Sequence, residues 1–355
     1  EALYRVDQVE MTDRQVIEAV RIEPGIYEPS EAPEDLPSIR AFVPPMPVEP
    51  LFLDLPLMTG EEVPHAPHIA VTADPWPGAA ALYASDVDAD YALNRLLNQP
   101  TPVGLTETPL IAACPARIDK GEGLLVRMVS GELQSVGDAA FLSGANLCAI
   151  GDGTPDGWEL FQFRDADLVG EDTYLLQHRL RGQLGTEGAM RKVWPAGSII
   201  VRLDGSPVQI DMPEARRGMA RHYRIGPADR PVDDPSYQGA VAAFDGIGLR
   251  PYAPVHLRLG GGLGSDLRAT WIRRTRIEGD SWELEEVPLG EESESYRIRV
   301  MRGSTVLREA TSATPEWAYP AVSQAEDGAQ AGDVLEAAQR SARFGAGPAA
   351  RVLLG

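Results

Sequence analysis

The chain has 355 residues and a formal net charge of −21, from 32 Lys and Arg against 53 Asp and Glu, and it is 43% hydrophobic with 35 Gly and 30 Pro. That composition excludes a collagen-like or generally disordered chain and suits a folded protein with many turns, in two or three domains. The charge disfavours duplex DNA and anionic lipid as direct ligands, because phosphate recognition depends on Lys and Arg displacing counterions.

No apolar run approaches the ~20 residues that span a bilayer, so no membrane anchor is expected. The first residues, Glu1-Ala2-Leu3-Tyr4-Arg5, have neither an initiator Met nor the basic-then-apolar order of a signal peptide, and read as the interior of a longer chain. Cys114 and Cys148 stand 34 positions apart, outside any CxxC, and read as buried free thiols.

In chain order, Tyr4–Val9 and Val16–Val20 alternate as half-buried strands. Residues 1–28 therefore read as the end of an upstream domain. Residues 29–50 carry Pro29, Pro33, Pro37, Pro44, Pro45, Pro47 and Pro50, which predicts an extended, semi-rigid linker. From 51 to 248 the pattern stays β-like, in one domain or two subdomains. Strands are expected at His68–Thr72, Ala79–Tyr83, Gly123–Val129, Trp158–Phe163 and Tyr174–His178. Ser198–Leu203 and Val208–Ile210 flank Asp204-Gly205, which predicts a hairpin. Helical signal is confined to Asp90–Leu97 and Ala139–Ala145.

Residues 249–355 predict a further domain. Pro254–Leu259, Asp266–Arg274 with an inward Trp271, Tyr296–Arg302 and Val306–Glu309 read as strands, with turns every 8–12 residues. The closing Val334–Ser341 and Gly345-Ala346-Gly347-Pro348 resemble the end of a fibronectin type III module, with a helix over 335–340 as the alternative. The fold class expected for the whole chain is mainly β and multi-domain, ending in a fibronectin type III-like sandwich.

Chemistry is sparse. His65-Ala66-Pro67-His68 has HxxH spacing, but Pro64 and Pro67 forbid the helix that would aim both rings at one metal, so a polar turn is the better reading. Asp86-Val87-Asp88-Ala89-Asp90 begins like a calcium loop but places Tyr91 where Gly is needed and Leu97 where Glu is needed. Gly260–Ser265 lacks the GK[ST] and the βα unit of a phosphate cradle, and reads as a mobile hairpin loop. Arg273-Arg274-Thr275-Arg276 is followed by Glu278, Asp280, Glu283, Glu285 and Glu286, and reads as an ion-paired strand edge. Ala215 to Leu257, rich in Arg and Tyr, reads as a rigid polar connection between domains, with guanidinium groups tying loops together. No GxSxG elbow or Cys/His signature is present. No catalytic, cofactor-binding or metal-binding residue is assigned, no cofactor is expected, and these residues are not read as an enzyme.

The Ala215–Leu257 run resembles the C-terminal part of the large tail-tip protein of alphaproteobacterial gene transfer agents, the megatron or host specificity protein, related to phage baseplate hub proteins. Leu51–Glu62, Ala73–Gly78, Gly144–Leu147 with Ala149–Gly151, Trp158-Glu159, Phe161–Phe163, Leu180–Glu187, Trp271–Arg276 and Val287–Ser293 carry the same likeness, in the family's order. The family's N-terminal glycosidase-like TIM barrel has no counterpart here. The resemblance implies hub-type tail domains and a homotrimeric ring at the distal end of a tail. It implies contacts with baseplate hub and distal-tail proteins, closure of the tail channel, and a part in cell attachment, envelope penetration and DNA delivery. It also implies assembly in the producer cytoplasm and release in an extracellular particle, with DNA passing through unbound. A negative channel wall would keep that DNA from adhering. Two other readings stand beside it. One is a carbohydrate-binding module using Trp76, Trp158 or Trp282 as platforms on a cell-surface polysaccharide. The other is the accessory part of a wall-degrading glycosidase.

Overall fold

The computed structural model describes residues 2–23, 25, 47–279 and 287–355, in two units, Glu1–Pro44 and Pro45–Gly355. In the first unit, β1 (Leu3–Met11) and β2 (Gln15–Ile22) form an antiparallel hairpin. Residues 29–46 of the predicted linker lie outside the described residues. Its last positions belong to the second unit, where Val48 is fully buried and Glu49-Pro50 open β3.

The second unit opens with β3 (Glu49–Leu53), β4 (His68–Thr72), β5 (Ala80–Ser85) and β6 (Ala92–Leu97). The chain continues through β7 (Val103–Thr106), β8 (Leu110–Ile111), β9 (Leu124–Ser130), α1 (Asp138–Leu142), β10 (Leu147–Gly151), β11 (Glu159–Gly170), β12 (Thr173–Leu180), β13 (Val193–Trp194) and β14 (Ile199–Arg202). It then passes through β15 (Val208–Gln209), β16 (Arg221–Pro227) and β17 (Gln238–Ala242).

These strands make two bodies. Strands β15-β4-β3 and β17-β16-β5-β6 form two antiparallel sheets. Between them lies a core of Phe52, Ile69, Val71, Leu82, Tyr223, Ile225 and Phe244, with Phe52 and Tyr223 rings 5.0 Å apart. Inserted between β6 and β15, strands β10-β11-β12-β9-β7-β14 close into an antiparallel barrel filled by Val126, Cys148, Ile150, Phe161, Phe163, Leu176 and Ile200. Closure leaves this sheet no free edge. The barrel is seated on β3 and β4 through Leu53, Leu55, Ala70, Trp158, Leu160 and Val201. There the Trp158 indole donates to the Phe52 carbonyl (3.1 Å), and Asp54 N–H donates to Pro155 O (2.7 Å).

The remaining strands are β18 (Val255–Gly260), β19 (Leu267–Ile272), β20 (Tyr296–Arg302), β21 (Thr305–Ser312) and β22 (Glu316–Tyr319). After α2 (Ala321–Glu326) come β23 (Val334–Ser341) and β24 (Gly345–Leu353). Sheets β18-β19-β22 and β21-β20-β23-β24 give the three-plus-four strand arrangement of a fibronectin type III sandwich. Buried and exposed positions alternate along β19, so Trp271 turns inward and meets the Tyr296 ring edge-on at 5.1 Å. The molecule is mainly β, as the alternating pattern predicts.

Several local expectations are corrected. Residues 90–97 contain strand β6 rather than helix: Ala, Leu and Arg carry helix propensity, but the edge of β5 supplies a full antiparallel partner. The helix at 139–145 shrinks to Asp138–Leu142 and stops ahead of two left-handed residues, Gly144 (φ 97°) and Asn146 (φ 57°). Residues 335–340, by contrast, are strand as expected and not the alternative helix, held between β20 and β24. Asp204-Gly205 turns the chain but makes no hairpin. Both edges of β14 are taken in the closed barrel by β10 and β7, so β15 pairs with β4 instead. The Gly260–Ser265 loop does join β18 to β19, but it is pinned by Gln324, whose Oε1 accepts Gly264 N–H (2.9 Å).

Of the cysteines, only Cys148 is buried; Cys114 is exposed, in the connection between β8 and β9. Burial pushes the Cys148 thiol up to about 12. A thiol-exchange reagent at neutral pH is therefore expected to titrate one thiol per native chain and two after denaturation. Two reactive thiols in the native protein would contradict this packing.

Candidate functional site

The segments that join the barrel, the two-sheet body and the sandwich converge on one cleft of about 1170 Å³. The loop after β3 forms one wall. Glu62 shapes it, its carboxylate accepting the N–H groups of Met58 (3.1 Å), Thr59 (2.8 Å) and Gly60 (2.9 Å). Burial pushes Glu62 up, but these hydrogen bonds outweigh it and hold the carboxyl below its ordinary value.

The turn between β12 and β13 reaches the cleft at Leu184. Gly185 has φ +76° and lies flat against the Tyr252 ring, where any Cβ would collide with the ring carbons. Arg274 stacks on Tyr252, 5.0 Å from the ring centroid, and pairs with Glu187 of the same turn. Burial pushes the Tyr252 hydroxyl up to about 12.

The Arg273–Arg276 cluster thus differs from its predicted role. It lies beyond the end of β19 rather than on a strand edge, and its described partners are divided between residues 287–291 of the same sandwich and, across the junction, Glu187 and Gly248. Arg273 donates to the carbonyls of Pro288 (2.8 Å) and Val287 (2.9 Å). Arg276 donates to Glu291 Oε1 (3.0 Å), Gly248 O (3.2 Å) and Gly290 O (3.1 Å). Asp280, Glu283, Glu285 and Glu286 lie outside the described residues. The fork geometry of guanidinium suits this use, binding several loop carbonyls at once.

Behind the cleft, Asp54 is 3% exposed and accepts Gly246 N–H on Oδ2 and Ile247 N–H on Oδ1, both at 2.8 Å. Burial pushes this carboxyl up to about 6, against the pull of those backbone donors. Burial also pushes the neighbouring Arg250 down. On the other side, Glu214 of the body pairs with Arg343 of the sandwich (2.8 Å).

The barrel holds a second polar constellation, fully enclosed. Arg181 meets Glu159 in a bidentate pair, Nε to Oε1 at 2.7 Å and Nη2 to Oε2 at 2.8 Å, with both side chains at 0% exposure. Trp194 Nε1 donates to Glu159 Oε2 (2.6 Å), Gly182 N–H to Oε1 (3.2 Å), and Arg181 Nη1 to Ile111 O (2.7 Å). With no solvent route to it, this network fastens the start of β11 to the end of β12 and to β13, and is structural. Motif reading missed it, since the pair lies 22 residues apart and matches no local signature.

The other singled-out residues are dispersed. His65 Nε2 donates to Met212 O (3.0 Å), while His68 is buried in β4, its Nδ1 unpartnered. Among the described residues no group of three or more His, Cys, Asp or Glu is arranged to hold a metal. Asp86 pairs with Arg216 and Arg221, and Asp88 accepts the Tyr91 hydroxyl (2.6 Å), so these acids serve local pairing. The Arg-rich segment from 216 is not a connection between domains over most of its length: Arg221 and Arg224 lie on β16, inside the four-stranded sheet. Only the part after Phe244 leads to the sandwich. Trp158 is 2% exposed, which removes it as a sugar platform. Trp76 is half-buried against the body core, and Trp282 lies outside the described residues.

Residues 101–201 match the family model described as Rcc01698-like, C-terminal, a span that contains the barrel from β7 almost to the end of β14. No curated protein matches the chain. Among solved structures, the FN1–FN3 domains of chicken CNTN1 align at 10% identity over 88% of this chain and 99% of that one, with a TM-score of 0.20. Domains A168–A170 of titin align at 8% identity over 87% and 99%, also with a TM-score of 0.20. The fold assignment rests on the strand pairing described above, with the barrel as the segment that a family model recognises.

Proposed function

We propose that this chain is a structural component of the distal tail tip of a phage-like gene transfer agent, from the C-terminal part of a megatron or host specificity protein. In this reading three copies surround the end of the tail, contact baseplate hub and distal-tail proteins, and help close the channel. They take part in attachment, envelope penetration and passage of DNA. The observation that carries the reading is the coincidence of the inserted barrel with residues 101–201, the span matched by a family named after a gene transfer agent-type protein. The resemblance of the flanking stretches, in the family's order, supports it.

The mechanism is geometric. A barrel, a two-sheet body and a sandwich are tied at one junction by Arg276, Arg274, Asp54 and the Glu214–Arg343 pair. Such ties suit a part that transmits position and force, and no residue is assigned covalent chemistry. A net charge of −21 suits a wall past which DNA slides. Imaging of intact tails tests the placement, with the chain expected at the distal end.

A further inference from the structure

The barrel carries unlike surfaces at its two ends. At one end, the connection between β8 and β9 is drawn against the last residues of β12. Arg181 Nη1 donates to Ile111 O (2.7 Å), and Asp119 N–H donates to Arg179 O (2.7 Å). Ala112 N–H donates to Lys192 O (3.0 Å), which brings β13 to the same place. Lys120 and Lys192 are the only lysines of the chain, and both lie here, exposed, together with Arg117. Among the described residues these three form no ion pair, whereas Arg191 beside them is taken by Asp152. Of the acids in residues 110–124, Asp119 is taken by Arg179, which leaves Glu122. Ile111 (63% exposed) and Val193 (47%) are direct cross-strand partners beside these cations.

The other end is the tip of the β11–β12 hairpin, about 25 Å away along the eight residues of β12. Asp167, Glu171 and Asp172 are exposed there, and residues 165–173 contain no Lys or Arg. Leu168 (65% exposed) and Val169 (54%) stand among them. Asp172 O accepts Met128 N–H (2.8 Å), which ties the tip to β9.

Exposed apolar side chains beside unpaired charge have the makeup of a protein–protein contact, an apolar centre within a polar rim. The signs decide which contact. A net charge of −21 opposes association of this chain with itself except where the charge is locally reversed, and the lysine-bearing end is such a place. Two basic ends facing each other, or two acidic tips, would set like charges together, which disfavours a symmetric pairing of either surface with itself. The basic end against the acidic tip matches both the charges and the apolar residues. Because the two surfaces lie at opposite ends of one barrel, such a contact closes into a ring or runs on as a filament.

We infer that the barrel joins copies of this chain head to tail, the end bearing Lys120 and Lys192 receiving the Leu168-Val169 tip of the next copy. This deepens the three-copy reading and rests on it for closure of the ring; the pairwise contact stands on the barrel alone.

Sedimentation of the full chain tests the contact. The wild-type chain is expected to self-associate with a dissociation constant of about 100 μM or tighter. Lys120→Glu with Lys192→Glu blocks the basic end, and Leu168→Asp with Val169→Asp blocks the tip. All four positions are exposed, so each pair is expected to leave the melting curve unchanged and to weaken association at least about tenfold. Should the tip variant melt early, Asp167→Lys with Glu171→Lys replaces it. The decisive sample is the equimolar mixture of the two variants. One keeps its tip and the other its basic end, so together they are expected to form a one-to-one dimer that grows no further. A wild-type chain that stays monomeric at ~1 mM overturns the inference. So does undiminished association of either folded variant, or a mixture in which the two do not pair. None of these outcomes bears on where the chain sits in a tail, which imaging decides separately.

Discussion

Glu159→Ala is expected to destabilise the barrel by about 3–5 kcal/mol, because it leaves the Arg181 guanidinium charged and unpaired where no water reaches it. The same substitution removes the acceptor for the Trp194 indole and for Gly182 N–H. Arg181→Ala should cost a comparable amount by stranding the carboxylate. The informative comparison is the double variant Glu159→Met with Arg181→Met. Burying two charges is itself expensive, so an apolar pair of similar volume should recover most of the loss. Urea unfolding followed by tryptophan fluorescence measures each corner of the cycle, since Trp194 reports from inside the network. Equal losses for the single and double variants would show that packing, not charge pairing, holds the strands here.

The second large effect concerns pH, through two buried groups of the two-sheet body whose shifts oppose one another. Asp54 has its carboxyl raised from 3.8 to about 6 by burial, so the folded chain keeps a proton that the unfolded chain loses. Its contribution favours folding at low pH and falls away as pH rises from about 4 to 6, by about 3 kcal/mol. His68 is lowered from 6.5 to about 4 by burial, with Glu62 pulling weakly the other way. Here the unfolded chain takes up the proton first, so stability present above pH 6.5 is lost as pH falls towards 4, by about 3 kcal/mol. In the native sequence the two nearly cancel. Relative to wild type, Asp54→Asn should lose stability on acidification from pH 6.5 to 4, and His68→Gln should gain it. Parallel pH profiles for both variants would contradict the burial assigned to these groups.

Much of the secondary structure is legible because alternation is a local signal. Tyr296–Arg302 and Asp266–Arg274 alternate so regularly that the inward Trp271 follows from the pattern alone. Closure of the barrel is not legible in the same way: it depends on pairings such as β7 with β14, almost a hundred residues apart. The insertion of the barrel between β6 and β15 is invisible for the same reason, and the expected Asp204-Gly205 hairpin fails because β14 has no free edge. Residues 90–97 mislead because propensity speaks for helix while the partner strand lies elsewhere in the sequence. The cleft was half visible. Arg273–Arg276 stands out as a cluster, but its partner Glu187, in the turn between β12 and β13, is met only once barrel and sandwich come together.

The placement of the chain carries the functional account, and single-particle imaging of intact tails tests it most directly. The account predicts density for the inserted barrel and the adjoining sandwich at the distal end, repeated three times around the tail axis. Density for these modules along the tail tube or at the head, or a distal tip complete without them, would contradict it.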